Sequence, residues 1–327
     1  MALALFKVLT FKKILNAAQL LLSYYFSKIT KQTRMWGVPY AFAFEPTTSC
    51  NLRCPQCPSG LRSFTRNTGM GDLALFKNLI DQQKDTLIWL TLYFQGEPYL
   101  NPDFLKMVAY AKSKKIFVST STNAHYLSPQ MASSTIDSGL DRIIVSVDGA
   151  SQATYEKYRV GGKIETVWTG LRNLTTAKKE QKSSIEIILQ FIVFKHNEHE
   201  LTLIKQIAHD LGVKLRLKTA QVYDEESSKE LLPQNKKYRR YSTESLQTKT
   251  PNACWRMWHS AVSTWDGNIV PCCFDKDATH TLGNIEKLSL KDIWKSNKYQ
   301  SFRKQIFKNR KNIDICKNCS EGSKVFL

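Results

Sequence analysis

Three cysteines lie close together near the start of the chain, at Cys50, Cys54 and Cys57. Three soft thiolates on one short segment favour either zinc or an iron–sulfur cluster. A structural zinc site is normally closed by a fourth cysteine or histidine, and the nearest histidine in the sequence is His125. Three protein ligands therefore indicate an open metal position. An iron–sulfur cubane bound in this way leaves one iron available for a further ligand.

A second group of cysteines lies near the other end of the chain. Its members are Cys254, Cys272, Cys273, Cys316 and Cys319. Four of these thiolates, including the Cys-x2-Cys pair at Cys316 and Cys319, could enclose zinc or a cubane. The spacing alone does not choose between the two. The group could also serve only as a structural staple for a small domain with little core of its own.

The cysteine content also bears on the compartment. A secreted chain with eight cysteines would form disulfides, but no small-residue cleavage site follows the apolar N-terminal region. We therefore expect a reducing, cytoplasmic location, in which clustered cysteines are more often metal ligands.

The elements that position these cysteines alternate from residue 41 onward. Segments with strand character are followed by segments of helical periodicity. The predicted strands are 40–47, 86–94, 115–119, 141–147, 185–194 and 213–218, and the predicted helices are 72–84, 102–113, 128–138, 151–182 and 198–211. Parallel strands need covering helices as crossovers, so these six βα-type units predict a parallel sheet with helices outside.

Two of the predicted strands are apolar on consecutive residues. Ile143-Ile144-Val145 and Ile187-Ile188-Leu189 are too continuously apolar for a sheet with one solvent-exposed face. We therefore predict an α/β fold in which the units form a partial (β/α)6 barrel. The first cysteine group follows the first strand, which places it at the C-terminal mouth of the sheet, where α/β folds bind ligands.

The first 44 residues contain six lysines and arginines and no acidic residue, in a chain with a formal net charge of +19. Polar residues recur at helical spacing through residues 3–29, which predicts an amphipathic helix. Their positions are Lys7, Thr10, Lys13, Asn16, Gln19, Ser23 and Ser27. Such a helix could make peripheral contact with an anionic membrane or cover an edge of the main domain, and we favour the second. No apolar run is long enough to predict a membrane-spanning helix.

The remaining sequence completes the division of the chain. Residues 221–252 are polar without a long periodic segment and predict a linker. Residues 261–264 and 268–272 flank Asp266-Gly267, a strong hairpin signal, and residues 290–307 predict a basic helix. The predicted parts are an N-terminal helix at 1–38, a barrel at 39–220, the linker, and a small α+β cysteine-rich domain at 253–327.

The pattern Cys-x3-Cys-x2-Cys after the first strand resembles the signature of the radical S-adenosylmethionine superfamily. The sequence Gln95-Gly96-Glu97-Pro98 after the second strand resembles the Gly-Gly-Glu motif of that family, with Gln95 in place of the first glycine. The resemblance implies a [4Fe–4S] cluster held by the three cysteines, whose open iron binds the amino and carboxylate groups of S-adenosylmethionine. It also implies that the motif contacts the cofactor amino group through its backbone and through Glu97.

Polar residues after the third and fourth strands and within the fifth match positions that line the cofactor in relatives. They are Asn123, Ser146, Asp148 and Gln190. Each could instead be a cap or a satisfied strand end. Arg159 could contact the cofactor carboxylate, although solvation at the surface is the simpler interpretation. Gln56 replaces the aromatic residue that usually precedes the third cysteine, so adenine stacking must come from another side chain.

The second cysteine group resembles the C-terminal SPASM or Twitch extension of this superfamily, because four residues separate Gly267 from Cys272 and a Cys-x2-Cys pair ends the pattern. The resemblance implies an auxiliary [4Fe–4S] cluster whose ligands are Cys254, Cys272, Cys316 and Cys319. Cys272 keeps the family spacing, which leaves Cys273 as a buried hydrophobic residue or an alternative ligand. No further cysteine follows Cys319, so the one-cluster Twitch form is the better match.

The resemblance implies an enzyme that cleaves S-adenosylmethionine reductively to a 5′-deoxyadenosyl radical, which abstracts hydrogen from a substrate carbon. The expected outcome is oxidation or modification of a peptide or of a small polyol or sugar, with the auxiliary cluster as an electron acceptor. An electron donor such as a flavodoxin or ferredoxin is the expected partner. The alternative is a basic membrane- or nucleic-acid-associated protein with structural metal sites, although no RNA-recognition motif accompanies the charge.

Overall fold

The computed structural model describes residues 2–222, 224–241, 251–317 and 319. Its strands are β1 Ala41–Phe44, β2 Trp89–Thr91, β3 Phe117–Thr122, β4 Arg142–Ser146, β5 Glu186–Val193, β6 Lys214–Thr219, β7 Ser260–Ser263, β8 Asn268–Val270 and β9 Gly283–Asn284. Its α-helices are α1 Ala2–Phe6, α2 Phe11–Thr30, α3 Pro58–Leu61, α4 Leu73–Gln83, α5 Phe104–Ser113, α6 Pro129–Asp137, α7 Gln152–Tyr155, α8 Ile164–Glu180, α9 Leu201–Asp210, α10 Glu225–Leu231, α11 Arg256–His259, α12 Leu290–Lys295, α13 Asn297–Asn309 and α14 Asp314–Lys317. The predicted alternation of strands and helices is confirmed. Parts of the predicted linker and of the predicted cysteine-rich domain, 242–250 and 320–327, lie outside the described residues.

The strands of the described residues form one sheet in the order β6-β5-β4-β3-β2-β1-β7-β8-β9. Strands β1 to β6 pair in parallel, each with the next along the chain. Strand β1 also pairs in parallel with β7, so that Ala41 lies opposite both Trp89 and Ser260. The β7–β8 and β8–β9 pairs are antiparallel. The predicted cysteine-rich unit therefore extends the sheet of the barrel.

The inner side of the sheet encloses a cavity that residues from every strand between β1 and β7 line. In β4, Arg142, Ile144 and Ser146 face this cavity, because successive side chains of a strand point to opposite sides. The intervening Ile143 and Val145 are 0% exposed and pack in the outer core under the helices. Both sides of the strand are covered, which explains its consecutive apolar residues and confirms the partial barrel.

Side-chain caps determine where several outer helices begin. Asp72 accepts hydrogen bonds from the backbone at the start of α4, and Ser128 does the same at the start of α6. The helices predicted between residues 151 and 182 are α7 and α8, and the chain turns between them through Gly161, which has a φ of 80°.

The predicted N-terminal helix is also two helices, because Thr10 caps α2 by accepting a hydrogen bond from the Lys13 amide at 3.4 Å. Helix α2 contacts both parts of the protein, because Lys13 Nζ donates to the Lys115 carbonyl oxygen of the barrel and the Tyr24 ring packs edge-on against Trp255 and Trp258 of the C-terminal unit. Much of the buried side of α2 is polar. No helix within the described residues is both long enough and apolar enough to cross a membrane.

The C-terminal unit contains the predicted hairpin, in which β7 and β8 flank Asp266-Gly267. The predicted helix at 290–307 is divided into α12 and α13, because Ser296 ends the first and caps the second. Arg303 of α13 is 0% exposed and donates hydrogen bonds to the carbonyl oxygens of Met257 and Trp294 at 3.0 and 2.8 Å. These contacts join α11, α12 and α13. The predicted linker contains one helix, α10, within its described part.

Candidate functional site

The first cysteine group forms a tight loop between β1 and α3. The Cys57 amide donates a hydrogen bond to the Cys54 carbonyl oxygen at 3.2 Å, and Cys57 is the N-cap residue of α3. Gly60 packs on this loop so closely that a Cβ there would lie 2.5 Å from the Cys54 nitrogen. Cys50, Cys54 and Cys57 all line the inner cavity of the barrel. The loop therefore presents its three sulfur ligands to one space.

Burial controls the chemistry of these thiols. It raises the pKa of Cys50 to about 11 and also raises the pKa of Cys54. A buried thiolate therefore requires a nearby cation, which a metal centre supplies. In the described part of the chain, no three His, Cys, Asp or Glu side chains are arranged to hold a single metal ion. Three soft thiolates that line one cavity are a donor set that fits an iron–sulfur cluster.

The turn after β2 brings Gly96 and Glu97 against the cysteine loop. Gly96 has a φ of 71°, and a Cβ there would lie 2.3 Å from the Thr47 carbonyl oxygen, so only glycine fits. The Gly96 amide donates to the Ser59 hydroxyl at 2.9 Å, and the Glu97 amide donates to the Ser49 carbonyl oxygen at 2.8 Å. Sequence reasoning missed Ser59, because its contact joins segments that are distant in the chain.

The Glu97 carboxyl group is fully enclosed. It accepts hydrogen bonds from the Thr122 hydroxyl and the Asn123 amide, each at 2.7 Å, and a longer one from the Tyr99 amide at 3.4 Å. Burial raises the pKa of Glu97 to about 7, although the hydrogen bonds oppose this shift. The group therefore changes charge near neutral pH, and an amino group placed beside it would favour the ionised form.

Asn123 connects Glu97 to the cysteine loop. Its Nδ2 atom donates to Asn51 Oδ1 at 2.7 Å and lies 3.9 Å from the Cys50 sulfur. Its Oδ1 atom accepts a hydrogen bond from the His125 amide at 3.1 Å.

Six of the seven residues predicted to bind the cofactor line the same cavity as the first cysteine group. They are Gln95, Gly96, Glu97, Asn123, Ser146 and Gln190.

Asp148 is the exception, because it is not among the residues that line the cavity. Its buried carboxylate accepts hydrogen bonds from Arg159 Nε at 2.7 Å and from the Ile192 amide at 2.6 Å. Arg159 lines the cavity with a side chain that is 14% exposed, so its predicted surface solvation is wrong. Its Nη1 atom lies 3.8 Å from the Cys54 sulfur. Asp148 therefore positions Arg159 instead of facing the cavity.

The cavity has a volume of about 530 Å³ and a basic lining. Glu97 is the one carboxylate among its described lining residues. Aromatic rings that could stack on adenine include Tyr93, Phe94 and Tyr158. In addition to Arg159, the cationic side chains that line the cavity are Arg142, Arg216, Lys218, Arg240, Arg256 and Lys276.

The second cysteine group lines a separate pocket in the C-terminal unit. All four predicted ligands contribute to it, namely Cys254, Cys272, Cys316 and Cys319. Cys273 lies instead in the main cavity, where Arg256 Nη1 approaches its sulfur at 3.6 Å. The two adjacent cysteines therefore face different spaces.

A buried cation accompanies this second group. Burial raises the pKa of Cys316 to about 12, and the neighbouring Arg310 guanidinium opposes the shift. Arg310 is 1% exposed, lines the same pocket, and donates to the Ala253 carbonyl oxygen at 3.2 Å. Burial also raises the pKa of Cys272 well above its ordinary value. A positive charge beside four cysteines, three of them buried, fits a thiolate-bound cluster with net negative charge.

One layer of side chains separates the main cavity from the second pocket. Arg256 and Phe274 line both spaces. Cys272 and Cys273 stand on opposite sides of the same layer. Sequence reasoning missed this shared wall, because it depends on how β7 and β8 meet the barrel.

Polar contacts hold the C-terminal unit against the loop that follows α3. Arg66 makes two hydrogen bonds to the buried carboxylate of Glu45, at 2.9 and 2.6 Å. The Thr65 amide donates to Asp277 Oδ1 at 2.8 Å, and Arg66 Nε donates to the Lys276 carbonyl oxygen at 3.0 Å. The same loop therefore contacts both the end of β1 and the segment after Cys273.

Two family models match the chain. The model of the Radical SAM superfamily matches residues 44–205. The model of the SPASM iron–sulfur cluster-binding domain matches residues 254–320. The first match contains the first cysteine group, and the second contains all the cysteines of the second group.

Curated relatives have low sequence identity to the chain. It is 27% identical over 79% of its length to a tungsten-containing aldehyde ferredoxin oxidoreductase cofactor-modifying protein of Pyrococcus furiosus, with 82% of that protein covered. It is 24% identical over 85% of its length to the S-adenosyl-L-methionine-dependent 2-deoxy-scyllo-inosamine dehydrogenase of Niallia circulans, with 92% covered. It is 27% identical to the AdoMet-dependent heme synthase of Methanosarcina barkeri, but spans only 49% of that protein.

Solved structures share the fold. The structure of BtrN in complex with AdoMet and 2-DOIA matches with a TM-score of 0.57 and 22% identity, covering 89% of this chain and 97% of that one. The structure of Streptococcus suis SuiB bound to precursor peptide SuiA matches with a TM-score of 0.62 and 12% identity, covering 85% and 69%.

Proposed function

Because the chain belongs to the radical S-adenosylmethionine superfamily and carries a C-terminal SPASM domain, we propose that it oxidises or modifies one carbon of a peptide or of a small polyol or sugar. The protein is an enzyme that uses a [4Fe–4S] cluster and S-adenosylmethionine, and its SPASM domain adds auxiliary iron–sulfur binding. The cluster and cofactor supply a 5′-deoxyadenosyl radical that removes a hydrogen atom from carbon. An enzyme of this kind accounts for the first cysteine group and the Gly96-Glu97-Pro98 turn together, whereas a basic protein with structural metal sites does not.

The first cysteine group is proposed to hold the cluster that binds the cofactor. Glu97 accepts a hydrogen bond from the cofactor amino group in this proposal, because its carboxyl lies directly beside the cysteine loop. Arg159 binds the cofactor carboxylate, since it faces the cavity within 3.8 Å of the Cys54 sulfur. Asp148 holds the Arg159 guanidinium in place. Ser146 and Gln190, on the cavity sides of β4 and β5, contact the ribose or methionine parts.

The shared wall of Arg256 and Phe274 is the observation that most supports a net oxidation. With the cofactor bound, removal of the first hydrogen atom would leave a radical on the substrate carbon. Oxidation then requires the substrate radical to lose one electron and one proton. We propose that Cys254, Cys272, Cys316 and Cys319 would hold an auxiliary [4Fe–4S] cluster, which would accept this electron across the shared wall while the proton passes to water.

Two substrate classes are supported by relatives that cover most of the chain. The Niallia circulans dehydrogenase is named for 2-deoxy-scyllo-inosamine, which favours a small cyclic polyol or amino sugar. SuiB was solved with a precursor peptide, which favours a peptide. The electron for cofactor cleavage is proposed to come from a flavodoxin or ferredoxin, and the net charge of +19 favours an acidic donor.

Isotope transfer tests this function. The reduced, cluster-loaded protein would be incubated with deuterated polyols, amino sugars and peptide extracts, and 5′-deoxyadenosine would be analysed by mass spectrometry. A substrate should transfer deuterium to 5′-deoxyadenosine and appear as a product that has lost two hydrogens. Cofactor cleavage without deuterium transfer from any candidate class would contradict the proposed substrates.

A matched pair of cysteine variants tests the electron-acceptor role. Cys319→Ala should lose the auxiliary cluster, still form 5′-deoxyadenosine, and fail to form the oxidised product. Cys273→Ala removes a thiol of the same unit that is proposed not to be a ligand, so it should keep the iron content of the wild type. Product formation by Cys319→Ala at the wild-type rate would refute the electron-acceptor role and leave the second site as a structural staple.

A further inference from the structure

Helix α2 is buried along a mainly polar side. Lys13, Asn16, Ser23 and Ser27 all lie on this side and are at most 6% exposed. A helix that only covers a core would normally bury its apolar stripe. The orientation of α2 is therefore the reverse of the usual one.

Specific hydrogen bonds fix this orientation. Lys13 Nζ donates to the Lys115 carbonyl oxygen at 2.6 Å. The Asn16 side chain bonds both backbone groups of Val38, at 2.8 and 2.9 Å. The Ser27 hydroxyl accepts from the Arg34 amide at 3.1 Å. Rotation of α2 about its axis would break every one of these bonds, so the helix cannot bury its apolar side without losing them.

The opposite side of α2 forms an exposed apolar stripe. Its large members are Phe11, Ile14, Leu15, Leu22, Tyr25, Phe26 and Ile29, with exposures between 38% and 79%. At 3.6 residues per turn these positions fall within a sector of about 120°. Trp36 extends the stripe, because its ring lies 5.3 Å from that of Phe26 and is 46% exposed. A continuous apolar surface of this kind marks an interaction site.

Basic residues border the stripe. Lys12 and Lys28 lie on α2 at its two margins, and Lys7, Lys31 and Arg34 stand near its ends, all exposed. The first 44 residues contain no acidic residue, and the acidic neighbour on the body is Asp85, 3.6 Å from Lys12. An apolar stripe with cationic margins matches the interface of an anionic bilayer, where apolar side chains enter the acyl boundary and lysines remain among the headgroups.

We propose that the apolar stripe of α2 docks the enzyme on an anionic membrane surface, with the helix lying in the plane of the interface. A second copy of the chain fits this surface less well. An isologous dimer would bring the stripe against itself, and the bordering lysines of the two copies would then face each other. Trp36 at the end of the stripe matches the preference of tryptophan for membrane interfaces.

Vesicle co-sedimentation of the full-length protein tests this proposal. Vesicles of phosphatidylcholine with phosphatidylglycerol should bind the wild type, pure phosphatidylcholine should bind it more weakly, and added salt should weaken binding. Leu22→Gln with Ile29→Gln should reduce binding by at least about tenfold. Replacing Lys12 and Lys28 by glutamine should reduce binding to the anionic vesicles on the order of fivefold per lysine.

A matched control separates the stripe from exposed apolar residues in general. Leu203→Gln with Leu288→Gln changes two leucines that are 51% and 53% exposed elsewhere, and should bind as the wild type does. Equal binding by the wild type and the stripe variant, or no binding by the wild type, would overturn the proposal. The proposal would also be overturned if the wild type formed a dimer without lipid and the stripe variant did not, because the stripe would then be a subunit interface. Cofactor cleavage in solution, measured on the same samples, tests the proposed enzymatic function separately.

Discussion

Replacing Glu97 by glutamine removes a carboxyl group whose charge is expected to control cofactor binding. Burial raises the pKa of this group from 4.5 to about 7. A glutamine can keep the hydrogen bond from the Asn123 amide through its oxygen and can donate its amide hydrogen to the Thr122 hydroxyl. The substitution therefore changes the charge at this site while keeping the shape of the residue.

The pKa sets the size of the expected effect on binding. With a pKa of about 7, the wild-type carboxyl is about one tenth ionised at pH 6 and about nine tenths ionised at pH 8. If only the ionised form accepts the cofactor amino group, the wild-type affinity for S-adenosylmethionine gains about tenfold over this range. Other groups that titrate in this range, including those of the cofactor, change the cofactor affinity of the wild type and of the Glu97→Gln variant equally. The ratio of wild-type to variant affinity should therefore rise about tenfold from pH 6 to pH 8.

The same carboxyl makes an opposite contribution to folding stability. A folded-state pKa raised above the unfolded value contributes stability that is present below pH 4.5 and lost as the pH rises through 7. A shift of this size corresponds to about 3 kcal/mol. For the protein without cofactor or clusters, the free energy of unfolding of Glu97→Gln minus that of the wild type should therefore increase by about 3 kcal/mol from pH 4.5 to pH 8.

Two measurements on the same proteins check this reasoning. Anaerobic binding titrations of the cluster-loaded protein with S-adenosylmethionine give the affinity ratio, and denaturant unfolding of the cluster-free protein gives the stability difference. Glu165→Gln is the matched control, because Glu165 has a side chain that is 75% exposed and should change neither quantity. An affinity ratio that stays constant from pH 6 to pH 8 would show that the charge of Glu97 does not govern cofactor binding.

Two further outcomes follow from the cysteine sites. If each cysteine group holds one [4Fe–4S] cluster, the anaerobic protein should contain about eight irons. The triple variant in which Cys50, Cys54 and Cys57 are all replaced by alanine should contain about four. A colourless protein containing zinc would contradict both clusters. Removing the buried charge in Arg310→Gln should lower the reduction potential of the auxiliary cluster, on the order of 50 mV, because a nearby cation stabilises the more negative reduced state. A redox titration followed by electron paramagnetic resonance measures this potential, and Arg310→Lys should restore most of it if charge is the cause.

The barrel was predictable because its signals are local. The strands with Ile143 to Val145 and Ile187 to Leu189 are apolar on both sides, and the intervening segments have clear helical periodicity. Strand ends were less predictable, because residues 92–94 continue the apolar run beyond Thr91, the last residue of β2. The Leu92 amide still donates to the Ser119 carbonyl oxygen at 2.8 Å, whereas Phe94 is buried beyond the strand, so hydrophobicity at Phe94 records burial.

The orientation of α2 could not be predicted for a related reason. Periodicity shows that a helix has two different sides, but it does not show which side meets the protein. The choice depends on partners such as the Val38 backbone and the Lys115 carbonyl oxygen, which only the folded chain brings to Asn16 and Lys13. The prediction that Arg159 is solvated at the surface was wrong for the same reason, since its partner Asp148 lies on a different element.

The parallel pairing of β7 with β1 links the two cysteine sites. Strand β1 leads into the first cysteine group, and the β7–β8 hairpin leads into Cys272 and Cys273. Because β1 and β7 are parallel neighbours, the first cysteine loop and the β7–β8 turn at Asp266-Gly267 emerge at the same edge of the sheet, and the antiparallel β8 then runs back before Cys272. Arg256 and Phe274 then stand between a cavity and a pocket that the sheet itself holds together. An electron path between the sites would therefore be a property of the fold, and it would not require the C-terminal unit to move.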